Sequence, residues 1–236
     1  MKHILSALLA LVMIPALAAC GDSQTPGTAA VTANEAVSTA APPGDAASDA
    51  DGGTEETAPS GRKALIVYFS RTGEQYTVGV IDKGNTAIVA EMIAEKIGAD
   101  LFEIVPADDH YPMTYAELTD VAKREQKEKA RPAYKGTAPE ISGYDTVFIG
   151  APVWWGDWPM IMYTFFEQNR DALADKTLIP FSTHEGSGLS GFDRKLGSAI
   201  PGASIGRGLA VRGNDAQNSR AAVRDSVNGW LDGLGF

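Results

Sequence analysis

Residues 146–159 read Thr-Val-Phe-Ile-Gly-Ala-Pro-Val-Trp-Trp-Gly-Asp-Trp-Pro. The first six form a continuous apolar run, as expected of a strand buried on both faces. A loop follows in which Trp154, Trp155 and Trp158 fall within five residues. That much aromatic surface is costly to expose and awkward to bury completely. A planar aromatic ligand stacked on an indole resolves the conflict. The alternative is that all three anchor the core, and Trp158 is the one expected there.

Outward from this segment, strand-like and helix-like stretches alternate. Residues 64–70 (ALIVYFS) make a first buried strand and residues 101–105 a second, with 177–182 (TLIPFS) and 204–211 as the fourth and fifth. Pro180 is unusual for a central strand, because proline cannot donate to a ladder. Between them, residues 85–97 place Ile88, Met92 and Ile93 on one helical face, with Gly98 as a stop. Residues 114–129 read as a polar surface helix, and 159–169 as a helix with Pro159 in its first turn. A short helix at 192–196 and an amphipathic one at 216–234 complete the pattern. Five strands interleaved with helices imply a parallel, doubly wound α/β sheet. In such sheets the ligand sits outside the carboxyl ends of the strands, at the point where the winding reverses.

That rule narrows the chemistry to three loops. After the first strand comes Ser70-Arg71-Thr72-Gly73, then eleven residues, 74–84, before a helix opening on Asn85-Thr86. Hydroxyls and free N–H groups at a strand-to-helix turn form an anion cradle. A plainer reading makes this a polar turn with Asn85 as the helix cap. The second loop carries the tryptophans. The third, Ser182-Thr183-His184-Glu185-Gly186-Ser187-Gly188, offers polar groups and glycines that let a backbone approach closely. Gly186, Gly188 and Gly191 also spell G-x-G-x-x-G. This is not the first βα turn and no acid ends the next strand, so a dinucleotide fingerprint is excluded. His184 and Glu185 could act as an acid/base pair, although a single loop histidine more often serves as a hydrogen-bonding residue. No G-x-S-x-G occurs, which removes the serine-hydrolase reading.

Ser-x-Thr-Gly in the first loop, Pro-x-Trp-Trp-Gly in the second and the polar third loop, in that order, resemble the flavodoxin family over residues 62–234. The resemblance implies a single flavodoxin-like domain with a five-stranded sheet in the order 2-1-3-4-5, of the short-chain type, and FMN as cofactor. It implies phosphate contacts from Ser70, Thr72, Gly73, Asn85 and Thr86, with Arg71 left in solvent. The flavin ring would lie against Pro152, Trp154, Trp155, Gly156 and Asp157, with Trp155 as the stacking indole. Thr183, His184, Gly186 and Ser187 would meet its pyrimidine edge. In some flavodoxins a Gly-Asp peptide beside the ring flips on reduction, and Gly156-Asp157 stands in the matching loop. The insertion at 74–84 departs from the family pattern and leaves the roles of Asn85 and Thr86 open. An electron carrier is the expected function, with an FMN-dependent NAD(P)H or quinone reductase and a flavin-delivery module as alternatives.

The amino terminus bears on location. Lys2 and His3 precede an apolar run over residues 4–16, too short to span a bilayer comfortably and suited to a signal peptide. Leu17-Ala18-Ala19-Cys20 follows and looks like a bacterial lipobox, in which the cysteine is lipidated and the preceding residues, 1–19, are removed. Cys20 is the only cysteine in the chain, so neither an internal disulfide nor a catalytic thiol is available to the domain. Residues 20–61 are rich in Ala, Thr, Ser, Gly and Pro, with no aromatic residue. Such a segment buries too little apolar surface to offset its ordering entropy, and reads as a disordered tether. The overall net charge is −10, but residues 61–236 carry 19 bases and 23 acids, a net of −4. A basic footprint for nucleic acid is missing. The expectation is therefore a lipoprotein on the outer side of a membrane, extracytoplasmic or periplasmic. Its partners would be redox proteins or membrane electron carriers, which mild acidity permits.

Overall fold

Every side chain of the first strand, β1 (Ala64–Tyr68), is buried, because helices cover both faces of the sheet it belongs to. The computed structural model describes residues 62–236. The expected signal peptide (1–19), Cys20 and the tether (20–61) lie outside the described residues. In chain order the strands are β1, β2 (Gly73–Gln75), β3 (Gly79–Ile81), β4 (Asp100–Glu103), β5 (Thr146–Pro152), β6 (Thr177–His184), β7 (Ser204–Ile205) and β8 (Leu209–Arg212). The helices are α1 (Asn85–Ile97), α2 (Tyr115–Glu128), α3 (Met160–Gln168), α4 (Arg170–Leu173), α5 (Phe192–Ala199), α6 (Gly213–Asn218) and α7 (Arg220–Asp232). Among the described residues, no helix is long and apolar enough to cross a membrane.

The main sheet runs β4-β1-β5-β6, all parallel, and its fifth position is shared by β7 and β8, both paired with β6. This is the expected order 2-1-3-4-5, with the last strand in two pieces. The pairs Thr177–Ser204 and Phe181–Leu209 differ by one residue in register, so an extra residue is accommodated between the pieces. Pro180 explains why this is tolerated. The Leu178 carbonyl accepts from the Gly206 N–H, and the Thr183 carbonyl accepts from Val153 N–H. Even-numbered residues of β6 therefore bond toward the fifth strand, and the donor that Pro180 lacks faces the gap.

Side chains alternate across the pleat. Leu65 and Val67 face α3 and α5 through Ile161, Phe165, Phe192 and Leu196, whereas Ile66 and Tyr68 face α1 and α7 through Ile93, Val227 and Leu231. Trp158 is 1% exposed and stacks on Phe192, ring centroids 3.6 Å apart. It is the core tryptophan expected of the three. Gly98 ends α1 with φ +65°, its N–H donating to the Ala94 carbonyl.

Two features depart from the sequence reading. The helix expected over 216–234 is two helices, broken at Ser219 (φ −132°). Asn218 and Ser219 are residues whose side chains favour caps over helix interiors. The insertion 74–84 is not a loop but most of an antiparallel hairpin, β2 with β3, pairing Gly73 with Ile81 and Gln75 with Gly79.

Candidate functional site

The carboxyl ends of β1, β5 and β6 open onto a cleft made of three adjoining hollows, about 190, 130 and 20 Å3 in volume. Trp154 and Gln75 line all three. A larger hollow, about 360 Å3, lies between α3 and α5 among Arg170, Arg194 and Lys195. None of the residues that line it belongs to β1, β5 or β6, at whose carboxyl ends a doubly wound sheet collects its ligand.

The smallest hollow is bounded by Ser70, Arg71, Asn85, Thr86, Pro152 and Thr183. Gly84 brings the start of α1 against the first loop: a Cβ there would lie 2.2 Å from Ser70 Oγ and 2.6 Å from the Arg71 carbonyl oxygen. Only glycine permits that approach. Ser70 Oγ then accepts the Ala87 N–H at 3.0 Å, and the Gly84 carbonyl accepts from Ile88. The N–H groups of Asn85 and Thr86 have no hydrogen-bond partner among the described residues. Two free donors at the positive end of a helix are an anion site in form. Thr86 is 1% exposed, and its hydroxyl lies 2.8 Å from that of Thr183. Asn85 Oδ1 accepts from Gln217 Nε2 at 2.7 Å.

Arg71 corrects an expectation. Its side chain is only 9% exposed, not left in solvent. It pairs with Asp109 at 3.1 Å and donates to the carbonyls of Tyr111 (2.6 Å) and Pro112 (3.1 Å). Those carbonyls repay the loss of water that a buried guanidinium suffers. Its Nε is buried with no partner among the described residues, and the residue lines the smallest hollow.

The wall of the cleft is Trp154, set edge-on to Phe69 (5.4 Å) and Tyr111 (5.2 Å). Behind it, the buried Glu125 carboxylate accepts from the Tyr111 hydroxyl at 3.1 Å and meets His110 Nε2 at 2.7 Å. Burial, with Glu125 beside it, pushes the Tyr111 phenol far above its ordinary range. Partial burial opposes charge on His110, but the bonds to Glu125 and the Asp108 carbonyl outweigh it and raise its pKa. On the third loop, His184 Nδ1 accepts from the Gly186 N–H at 2.9 Å. Burial holds its imidazole below the ordinary range, against the pull of Glu185. Glu185 itself accepts from the Asn214 N–H at 2.9 Å.

Ser70, Asn85, Thr86, Pro152, Trp154, Thr183 and His184 line the cleft. Thr72 and Gly73 are not among its lining residues, and Gly73 lies close against the Met113 carbonyl. Gly186 and Ser187 are exposed beyond its rim. Gln75, Tyr76 and Tyr115 also line it, and the sequence reading did not find them. Their one signal was Tyr76, the single aromatic residue of the insertion 74–84.

The family model described as flavodoxin matches residues 63–232. The chain belongs to the flavodoxin family. No curated protein matches it, but solved structures do. A Bacteroides uniformis protein provisionally described as a flavoprotein is 30% identical, with a TM-score of 0.57 over 73% of this chain and 99% of its own. A similar protein from Bacteroides eggerthii is 29% identical, with a TM-score of 0.58 over 74% and 99%. A Lactobacillus acidophilus flavoprotein solved in complex with FMN is 22% identical, with a TM-score of 0.52 over 67% and 97%, and shares the fold.

In this flavodoxin the tryptophan loop closes as a tight turn, Trp154 and Asp157 exchanging N–H···O bonds at 2.9 Å in both directions. Trp155 (φ +50°) and Gly156 (φ +72°) occupy its centre, the geometry of a type I′ turn. Left-handed backbone is ordinary for Gly156 and uncommon for a tryptophan. Trp155 is 51% exposed and rests on α2: its Nε1 donates to the Thr119 carbonyl at 2.9 Å, and Lys123 lies over its ring. It lines the 190 Å3 hollow beside α2. Gly156 and Asp157 face the other way. Lys195 Nζ donates to the Gly156 carbonyl and pairs with the Asp157 carboxylate, which also accepts from the Tyr163 hydroxyl at 3.0 Å.

Proposed function

We propose that this flavodoxin binds FMN and carries electrons, held on the outer face of a bacterial membrane by a lipid on Cys20. The observation that carries the reading is the smallest hollow. Asn85 and Thr86, whose N–H groups have no partner among the described residues, and Arg71, whose Nε has none, all line it. Donors left over in this way favour an anionic acceptor, and the residues present fit a phosphate. From there Trp154 and Pro152 form one wall for a planar ring, and Thr183 and His184 meet its edge. The FMN complex of the Lactobacillus acidophilus relative supports the choice of flavin.

When bound, the flavin supplies the electron transfer itself. The protein's share is to bind the phosphate, orient the ring and keep water from one of its faces. Burial of His184 disfavours its charged form there. The apolar hollow beside α2, lined by Tyr115, Leu118, Ala122 and Trp155, favours a second reading, in which a flat substrate such as a quinone is reduced.

The test is uptake of FMN against riboflavin by the purified full chain, followed by its visible spectrum. FMN should bind far more tightly, and equal affinities would remove the anion site. Rapid NAD(P)H oxidation by the loaded protein would move the reading to a reductase. For the anchor, the Cys20→Ala protein should leave the membrane fraction.

A further inference from the structure

The hairpin β2–β3 interrupts the first loop and stands over the cleft. Its base is fixed to the segment before α2 by complementary bonds. The Glu74 N–H donates to the Met113 carbonyl at 2.8 Å, and the Glu74 carboxylate accepts from the Tyr115 N–H at 2.8 Å. Gly73, at φ +86°, sits so close beneath that a Cβ would lie 2.8 Å from the Met113 oxygen. The first residue past β2 is Tyr76, whose ring packs on Tyr115 with centroids 5.5 Å apart and a 37° tilt. Tyr76 is 67% exposed, yet it lines the 130 Å3 hollow together with Trp154 and His184.

One face of that hollow is an aromatic wall with a rigid backing, Trp154 on Phe69 and Tyr111. Its third side, residues 182–188, contains no Phe, Tyr or Trp. The Tyr76 ring stands two-thirds exposed at the mouth of the cleft, where a flat ligand entering beside it would cover it. We propose that the hairpin Gly73–Ile81 is a cofactor clamp, with Tyr76 covering the face of the flavin ring opposite Trp154. The proposal rests on the FMN reading and adds to it a binding element from the insertion. The anchored base and the three paired positions of the hairpin set where Tyr76 stands.

The experiment compares full-chain wild type with Tyr76→Phe, Tyr76→Leu and Tyr76→Ala. It measures the FMN dissociation constant, the dissociation rate and the shape of the visible flavin band. Tyr76→Phe should match wild type. Tyr76→Ala and Tyr76→Leu should bind on the order of tenfold more weakly, within the range of an aromatic stacking contact. They should release FMN faster, with an altered band and an unchanged melting temperature without flavin. If wild type takes up FMN and the Leu and Ala variants match it in all three measurements, the clamp is overturned while the FMN reading stands. If wild type takes up no FMN, both fall.

Discussion

The hydroxyl of Thr86, in the first turn of α1, lies 2.8 Å from the hydroxyl of Thr183, near the end of β6. Both residues are buried. One hydrogen bond therefore ties the start of the first helix to the strand beneath the third loop, and fixes the spacing of two walls of the cleft.

Removing either partner strands the other. Thr86→Val or Thr183→Val alone should destabilise the domain by about 1–3 kcal/mol, the cost of an unsatisfied buried group. The double variant should lose clearly less than the sum, because no orphan remains. Urea unfolding of the four proteins reads the coupling, and strict additivity would show that the two hydroxyls act independently.

The Trp155–Gly156 turn should resist any side chain at its second position. A Cβ on Gly156 meets only Ser190 Oγ, at 3.7 Å, so the cost is backbone conformation and not collision. Gly156→Val should lower stability by about 1–2 kcal/mol, the ordinary penalty of a left-handed residue. A larger loss in denaturant would mean that the turn does not keep its shape. If the Gly156-Asp157 peptide controls the reduction of the flavin, dithionite titration of the two loaded proteins should also differ.

His110 gives the domain a pH dependence of known sign. Its folded pKa is raised above the ordinary 6.5, so between that value and the raised one the folded protein holds a proton that the unfolded chain has released. Stability from this group is complete below 6.5 and is lost as pH rises through the raised value. His110→Gln should flatten the decline of melting temperature on the alkaline side of 6.5. An unchanged slope would show that the pair with Glu125 does not form.

Arg71 holds residues 109–112 by one ion pair and two carbonyl bonds. Arg71→Gln should cost about 1.5–3 kcal/mol, as for hydrogen bonds to charged groups, and should speed amide exchange across that segment. It should also weaken FMN more than riboflavin. Equal weakening of both would take the guanidinium away from the phosphate.

The strands were legible because buried strands write themselves as apolar runs, as in residues 64–68 and 146–151, whereas the order of the sheet followed from the resemblance to the flavodoxin family. Trp158 could be assigned to the core because so many large rings cannot all face a ligand. The fate of Arg71 could not be read, since it depends on carbonyls forty residues away. Nor could the direction of Trp155, which is set by a Thr119 carbonyl on another element. The hairpin escaped because strands of three residues are too short to show alternation.

The break opposite Pro180 has a consequence for self-association. An open sheet has two borders at which a second chain can add a strand. Here one border is β4, four residues long with Asp100 and Glu103 at its ends. The other is β7 and β8, two and four residues long and out of step by one residue. A continuous strand laid along that side would match the hydrogen-bonding rhythm of one piece and miss that of the other. The irregularity that Pro180 permits thus leaves the sheet a poor template for further copies of itself.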